Sequence, residues 1–311
     1  MKKLIVKGLC ILAIIVFLMG AFILLSLNPL LSDKLNLLTD SGGYTGTGTE
    51  EVRGVLNILD RDSDAVKLIL GDSVAAQIFM GADSGEYMIA TGNQAMTFIW
   101  QYIFARKFLD SHTNATDIYI FVTPDSLNSV WNSVLSYQYV LMSMEKFDCL
   151  DELDDKSAEE LLEIYGSFFM KEEVIRMIDN SGINRKLFLN YIQEKTPTEI
   201  QEKDYTKVSR IPNEYLVKIN DLCVERGVKL HLVCCPCKDT PENRIANEEL
   251  SKNYALTDIG ALFPEFFDGI TYYPAEEFKD AMHFKDNLLT SDFKREIIEK
   301  MEEKSGVLLG L

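Results

Sequence analysis

The spacing of apolar and charged positions divides the chain into three stretches. Lys2, Lys3 and Lys7 precede a run from Gly8 to Leu31 that carries no charge. Such a run exceeds the ~20 apolar residues that a helix needs to cross a bilayer. It is too long for the ~7–15-residue apolar centre of a cleaved signal peptide, and no clear Ala-x-Ala site follows it. Cys10 stands at its start, a poor place for lipoprotein processing. The pattern predicts a cytoplasmic tip and uncleaved transmembrane anchor over residues 1–31. Lysines ahead of the span favour a cytoplasmic N-terminus and an external body, so a single-pass protein of the cell membrane is expected.

Residues 32–60 follow as a stalk. Their centre, from Asp40 to Thr49, is rich in Gly, Ser and Thr and poor in groups that bury surface. From residue 61 onward, short apolar runs alternate with segments of helical period. Strands are expected at Val66 to Leu70, Glu86 to Thr91, Asp117 to Thr123 and Val228 to Val233, and a fifth at Phe267 to Tyr272. Helices are expected from about Gln94 to Leu109, from Pro212 to Arg226 with Gly227 as its stop, and from about Leu288 to Glu303. Alternation of this kind predicts a three-layer α/β/α sandwich with a mostly parallel sheet. Between about 146 and 211 the strand signal disappears. There Ser157 to Met177 and Ile183 to Glu194 read as a helical insertion, and Ser157-Ala158-Glu159-Glu160 as a capping box.

Composition narrows the function classes. The net charge of −17 argues against nucleic acid, which needs a basic stripe, and against a body lying on anionic lipid. Five of the six cysteines follow the expected anchor, and an odd external number fits poorly with a disulfide framework. Asn114-Ala115-Thr116 is a glycosylation sequon, of consequence only in a eukaryotic secretory pathway.

In parallel sheets, chemistry gathers at the carboxyl ends of strands. Gly71-Asp72-Ser73, Gly92-Asn93 and Pro124-Asp125 each follow an expected strand. A serine hydroxyl is a poor nucleophile without a base and a group that orients the base. The chain holds three histidines. His112 lies in a polar loop, where exposure is expected, and His231 lies inside the fourth strand, where packing is expected. His283 lies in an irregular segment, with Asp280 three residues before it. At that spacing Asp280 can hold one ring nitrogen and leave the other for Ser73. A bare helix cap at Asp72 or Ser73, and a surface Asp–His pair, are the structural alternatives.

Gly71-Asp72-Ser73 after the first strand, with Asp280-Ala281-Met282-His283 near the C-terminus, resembles the SGNH/GDSL hydrolase superfamily over roughly residues 61–311. The resemblance implies a flavodoxin-like fold, Ser73 as nucleophile, His283 as base and Asp280 as orienting carboxylate. It implies an oxyanion hole that includes the backbone N–H groups of Ser73 and Gly92, and the side chain of Asn93, on the second-strand loop, is the candidate in place of the family's third-strand asparagine. The family's Gly-x-Asn-Asp after the third strand is absent, since the chain reads Val122-Thr123-Pro124-Asp125. An anchor, a Gly-Asn-Gln loop and a strand ending in Thr-Pro-Asp-Ser are similar to DltD-type proteins of teichoic-acid D-alanylation and to anchored surface-polysaccharide acyltransferases. That similarity implies an esterase or O-acyltransferase outside the cell. Its substrate would be a cell-surface glycan or acylated envelope polymer, its partner a membrane acyl-donor protein, with no cofactor.

Two other readings stand beside this one. Cys234-Cys235-Pro236-Cys237 contains a Cys-x-Pro-Cys redox pattern, but Lys238 to Pro241 does not read as the start of a helix and no second ligand pair suits zinc. Alternatively, the body is a non-catalytic carbohydrate-binding module in which Asp125, Ser126 and Asn128 contact sugar hydroxyls.

Overall fold

A computed structural model of the chain describes residues 2–26, 48–61, 63–80, 85–92, 98–131, 136–141, 143–144, 147–165 and 204–309. Helix α1 spans Lys2–Ser26. Among the described residues no helix is long and apolar enough to cross a membrane. The anchor over residues 1–31 therefore remains an expectation from sequence.

Helix α2, Gly48–Leu59, comes next. Its Val52, Val55 and Leu59 are buried in the main core. The expected stalk thus ends too late: residues 48–59 belong to the body. Three apolar residues at i, i+3 and i+7 give this helix a buried stripe that the glycines before it had obscured.

Four strands form the central sheet: β1 Lys67–Gly71, β2 Tyr87–Thr91, β3 Asp117–Val122 and β4 Lys229–Cys234. They run in the order β2-β1-β3-β4, every pair parallel. The chain winds outward from β1 first to one side and then to the other. The strand order therefore reverses beside β1, and such a point opens a crevice at the carboxyl ends of the strands.

Alternate residues of each strand face opposite sides. Leu68, Leu70, Ile118, Ile120, Leu230 and Leu232 join one cluster, with α2, helix α4 at Phe98–Ser111 and helix α6 at Arg210–Arg226. Ile69, Tyr119, Phe121 and Val233 join the other, with helix α3 at Ser73–Phe79 and helix α9 at Ser291–Ser305. Helices thus pack on both faces of a parallel central sheet, an α/β arrangement with the mostly parallel sheet expected. Glycine ends α6 and α9: Gly227 and Gly306 both take the left-handed conformation, with φ of 68°.

The region after β4 departs from expectation. Strand β5, Cys237–Asp239, follows β4 directly and pairs in parallel with β6, Tyr272–Pro274. The strand expected at 267–272 therefore starts five residues later, behind a run of turns. Helix α7, Pro241–Tyr254, begins where no helix was expected, and short helix α8 follows at Asp258–Leu262. Thr240 caps α7 by accepting the Asn243 N–H at 3.2 Å. Pro241 sits at the first position, where a missing N–H costs nothing.

Of the expected insertion, helix α5 is described at Asp155–Tyr165. Its cap is Asp154, which accepts the Ser157 N–H at 2.9 Å, so Ser157 is an interior residue rather than the start of a capping box. The helix expected from Ile183 to Glu194 lies outside the described residues.

Candidate active site

β1 ends at Gly71, and the next two residues turn the chain into α3. The turn is close-packed. A Cβ on Gly71 would lie 2.4 Å from the Phe121 carbonyl oxygen and 2.5 Å from the Ala75 Cβ. Gly71 is needed because β3 and α3 approach so nearly, not for an unusual backbone angle.

Asp72 is almost fully buried, at 2% exposure. One carboxylate oxygen caps α3, accepting the Val74 N–H at 2.9 Å and the Ala75 N–H at 3.2 Å. The other reaches across to the end of β3. It accepts the Thr123 N–H at 2.8 Å, the Thr123 hydroxyl at 3.1 Å and the Ser126 hydroxyl at 2.8 Å. Five donors replace the water this carboxylate has lost, as a buried charge requires. Asp72 thus fixes the turn that carries Ser73 and ties it to the neighbouring strand.

Ser73 is the first residue of α3 and is 7% exposed. Its Oγ lies 2.7 Å from the His283 Nε2, across 210 residues of sequence. On the far side of the ring, Nδ1 lies 2.9 Å from Asp280 Oδ2. Asp280 also accepts the backbone N–H groups of Met282 at 2.9 Å and His283 at 2.8 Å. The carboxylate accepts a hydrogen bond from Nδ1–H and so fixes that tautomer, which leaves Nε2 as the acceptor for the serine O–H. Burial opposes ionisation of Asp280. The N–H groups of His283 and Met282 and the imidazole outweigh it, and the carboxyl is held below its ordinary range. The Asp280 side chain is 48% exposed and that of His283 24% exposed, so the relay opens to solvent. These three residues, expected to act together, are together in space.

The oxyanion donors are arranged differently from expectation. The Gly92 N–H donates to the Gly71 carbonyl at 3.3 Å, extending the β1–β2 ladder by one step, and so does not point at the serine. The Ser73 N–H, at the first helical position, has no partner among the described residues. Asn93 lies outside the described residues.

The remaining candidates take structural roles. Ser126 is committed to Asp72, and Asn128, 2% exposed, donates its amide to the Lys207 and Asp204 carbonyls. Neither is presented to a sugar. His112 is buried rather than exposed. It stacks on Phe108 at 4.4 Å, one helical turn earlier, and pairs with the Ser63 and Ser111 hydroxyls. His231 packs on Tyr119 at 4.6 Å and pairs with Asp117 at 2.8 Å, at the amino end of the strands and away from Ser73. Cys234, Cys235 and Cys237 are free thiols and buried. Burial pushes the Cys234 and Cys235 thiols well above their ordinary value, which opposes the thiolate that redox exchange needs.

Two contacts had no sequence signal. The Gln77 carboxamide pairs with the backbone of Phe284, and Lys238 Nζ donates to the Asp280 carbonyl at 3.0 Å. Both depend on tertiary placement of the segment around His283. No family model, no curated protein and no solved structure matches this chain.

Proposed function

We propose that the chain is a serine acyl-transfer enzyme of SGNH/GDSL type. The relay Ser73 Oγ to His283 Nε2 at 2.7 Å, and His283 Nδ1 to Asp280 at 2.9 Å, is the observation that carries this reading. Its place at the carboxyl end of β1, beside the point where strand order reverses, supports it further. Ser73 Oγ attacks the acyl carbonyl carbon while His283 Nε2 takes the hydroxyl proton. The tetrahedral oxyanion forms within reach of the Ser73 N–H, with the Asn93 amide as the proposed second donor. Collapse expels the alcohol, which leaves with the proton from His283, and an acyl-serine remains. His283 then takes a proton from the incoming hydroxyl, and the ester is cleaved in the same way. Water as acceptor makes an esterase; a sugar hydroxyl makes an O-acyltransferase.

The apolar stretch ahead of the body, with lysines before it, and the acidic composition support a site held outside the membrane. The proposed substrate is an acylated or acylatable glycan of the cell envelope, supplied or shared by a membrane acyl-donor protein.

A fluorophosphonate probe tests the reading. The wild-type chain is expected to label once per molecule, at Ser73, and Ser73→Ala to remain unlabelled. Labelling that persists in Ser73→Ala places the nucleophile elsewhere. A folded wild type that never labels overturns the acyl-transfer reading.

A further inference from the structure

The base and the nucleophile come from opposite ends of the chain, so something must fix the distance between them. The segment that carries His283 is a small closed loop. Phe278 and Phe284 face each other in an antiparallel bridge. The Lys279 N–H donates to the His283 carbonyl at 2.9 Å, and the Lys285 N–H to the Glu277 carbonyl at 2.8 Å. The Phe284 ring is fully buried, stacked on Phe278 at 4.5 Å and in edge contact with Tyr273 and Phe293. These contacts hold the loop together and seat it on the core.

Helix α3 reaches the loop through two hydrogen-bonding side chains among the described residues. One is Ser73. The other is Gln77, one helical turn later and therefore on the same face. Gln77 Nε2 donates to the Phe284 carbonyl at 3.3 Å, and its Oε1 accepts the Phe284 N–H at 3.1 Å. The pair engages both backbone groups of the residue next to His283. Only a carboxamide supplies donor and acceptor in one planar fork of this length. Methionine offers neither, and an ionised glutamate offers only the acceptor.

We propose that Gln77 is a positioning residue that locks the His283 backbone to the helix bearing Ser73, so that Nε2 stays within hydrogen-bond reach of Oγ. The inference rests on the acyl-transfer reading. Gln77 is neutral and touches neither the ring nor the carboxylate, so it acts on distance rather than on the charge of the base. Misplacement of a reacting pair by about an ångström costs on the order of 10²-fold in rate.

The test is the kinetics of fluorophosphonate labelling in the full chain. Gln77→Met is expected to lower the inactivation rate constant by about 10–100-fold. The reagent's dissociation constant should stay near wild type, because the site that receives the reagent is intact. Hydrogen exchange at the Phe284 amide should quicken, while thermal unfolding stays within a few degrees of wild type. A merely structural glutamine would move the melting temperature and leave the inactivation constant of the folded protein alone. Gln77→Glu is the second variant should Gln77→Met fail to fold; at neutral pH it keeps the acceptor, loses the donor, and is expected to slow inactivation as well. A folded variant with faster Phe284 exchange and a wild-type inactivation constant overturns the positioning role alone. A wild type that never labels overturns the acyl-transfer reading and this inference with it.

Discussion

Within the tripeptide that closes β1 and opens α3, each residue answers to a different constraint, and each can be tested singly. Gly71 answers to space. Gly71→Ala must push its new Cβ against the Phe121 carbonyl and the Ala75 side chain, so a loss of about 1–3 kcal/mol is expected in urea unfolding. Asp72 answers to buried hydrogen bonding, and Ser73 to chemistry. Asp280 orients the base, and its carboxyl is held below its ordinary range. A depressed carboxyl stays charged as pH falls and takes up its proton only below the ordinary ~3.9. Loss of labelling between neutral pH and about pH 4 is therefore not protonation of Asp280. Asp280→Asn should slow Ser73 labelling by roughly 10²–10⁴-fold at neutral pH, with no recovery as pH rises, because the amide no longer holds the ring in the required tautomer. Pairing Asp280→Asn with His283→Ala should cost little more than His283→Ala alone. Losses that simply add would break the relay. The proximity of Ser73, His283 and Asp280 was legible because its evidence is local: a strand followed two residues later by a serine, and a carboxylate three residues before a histidine. Gly92 was misread because its N–H is claimed by the neighbouring strand, a fact of register that its own sequence does not carry.

At the scale of elements, period and punctuation located most of the framework. The four sheet strands fell within a residue or two of their expected positions because each is a short apolar run bounded by turn residues. Where the reading failed, the apolar signal was thin. Helix α7 shows only Leu250 and Tyr254 as buried residues, so a polar run behind Pro241 concealed it. Helix α5 shows the opposite case, a weak helix held by a charge cluster. Arg210, at the start of α6, pairs with Asp154 at 3.0 Å, Glu160 at 2.9 Å and Glu214 at 2.6 Å. Its side chain is 19% exposed, so these bonds are only partly screened. Arg210→Met should lower stability by about 1.5–3 kcal/mol, since hydrogen bonds to charged groups are lost and carboxylates are left crowded. Burial raises the Asp154 carboxyl, but bonds from the Ser157 hydroxyl and N–H, with Arg210 and Tyr215, bring it down to about 2. The folded value is below the unfolded ~3.9, so this contribution is present above about pH 4 and is lost as pH falls from there through about 2. Unfolding curves at pH 7 and pH 2.5 check this: Asp154→Asn should differ from wild type at the higher pH and approach it at the lower.

For the whole molecule, the question that sequence alone answered wrongly is where the body begins. Composition assigned residues 32–60 to a stalk, because Gly, Ser and Thr dominate their centre and flexible linkers are built that way. Yet residues 48–59 of that stretch form α2, which places Val52, Val55 and Leu59 at 0%, 5% and 1% exposure against the sheet. Burying an aliphatic side chain of this size is worth about 1.5–3 kcal/mol, so the three together contribute roughly 5–9 kcal/mol. A domain of ordinary stability has only about 5–15 kcal/mol in all. The helix also covers one edge of the sheet face that backs β1, the strand from which Ser73 is presented. Two shortened chains separate the alternatives. A chain beginning at Gly48 should unfold in urea with the midpoint and slope of the full-length body, and it should label at Ser73 at the wild-type rate. A chain beginning at Arg61 exposes the surface that α2 covers. It should lose cooperative unfolding, show the near-ultraviolet signal of a loosened core, and label slowly or not at all. Equal stability of the two chains would return residues 48–60 to the stalk and remove α2 from the account of how the site is held.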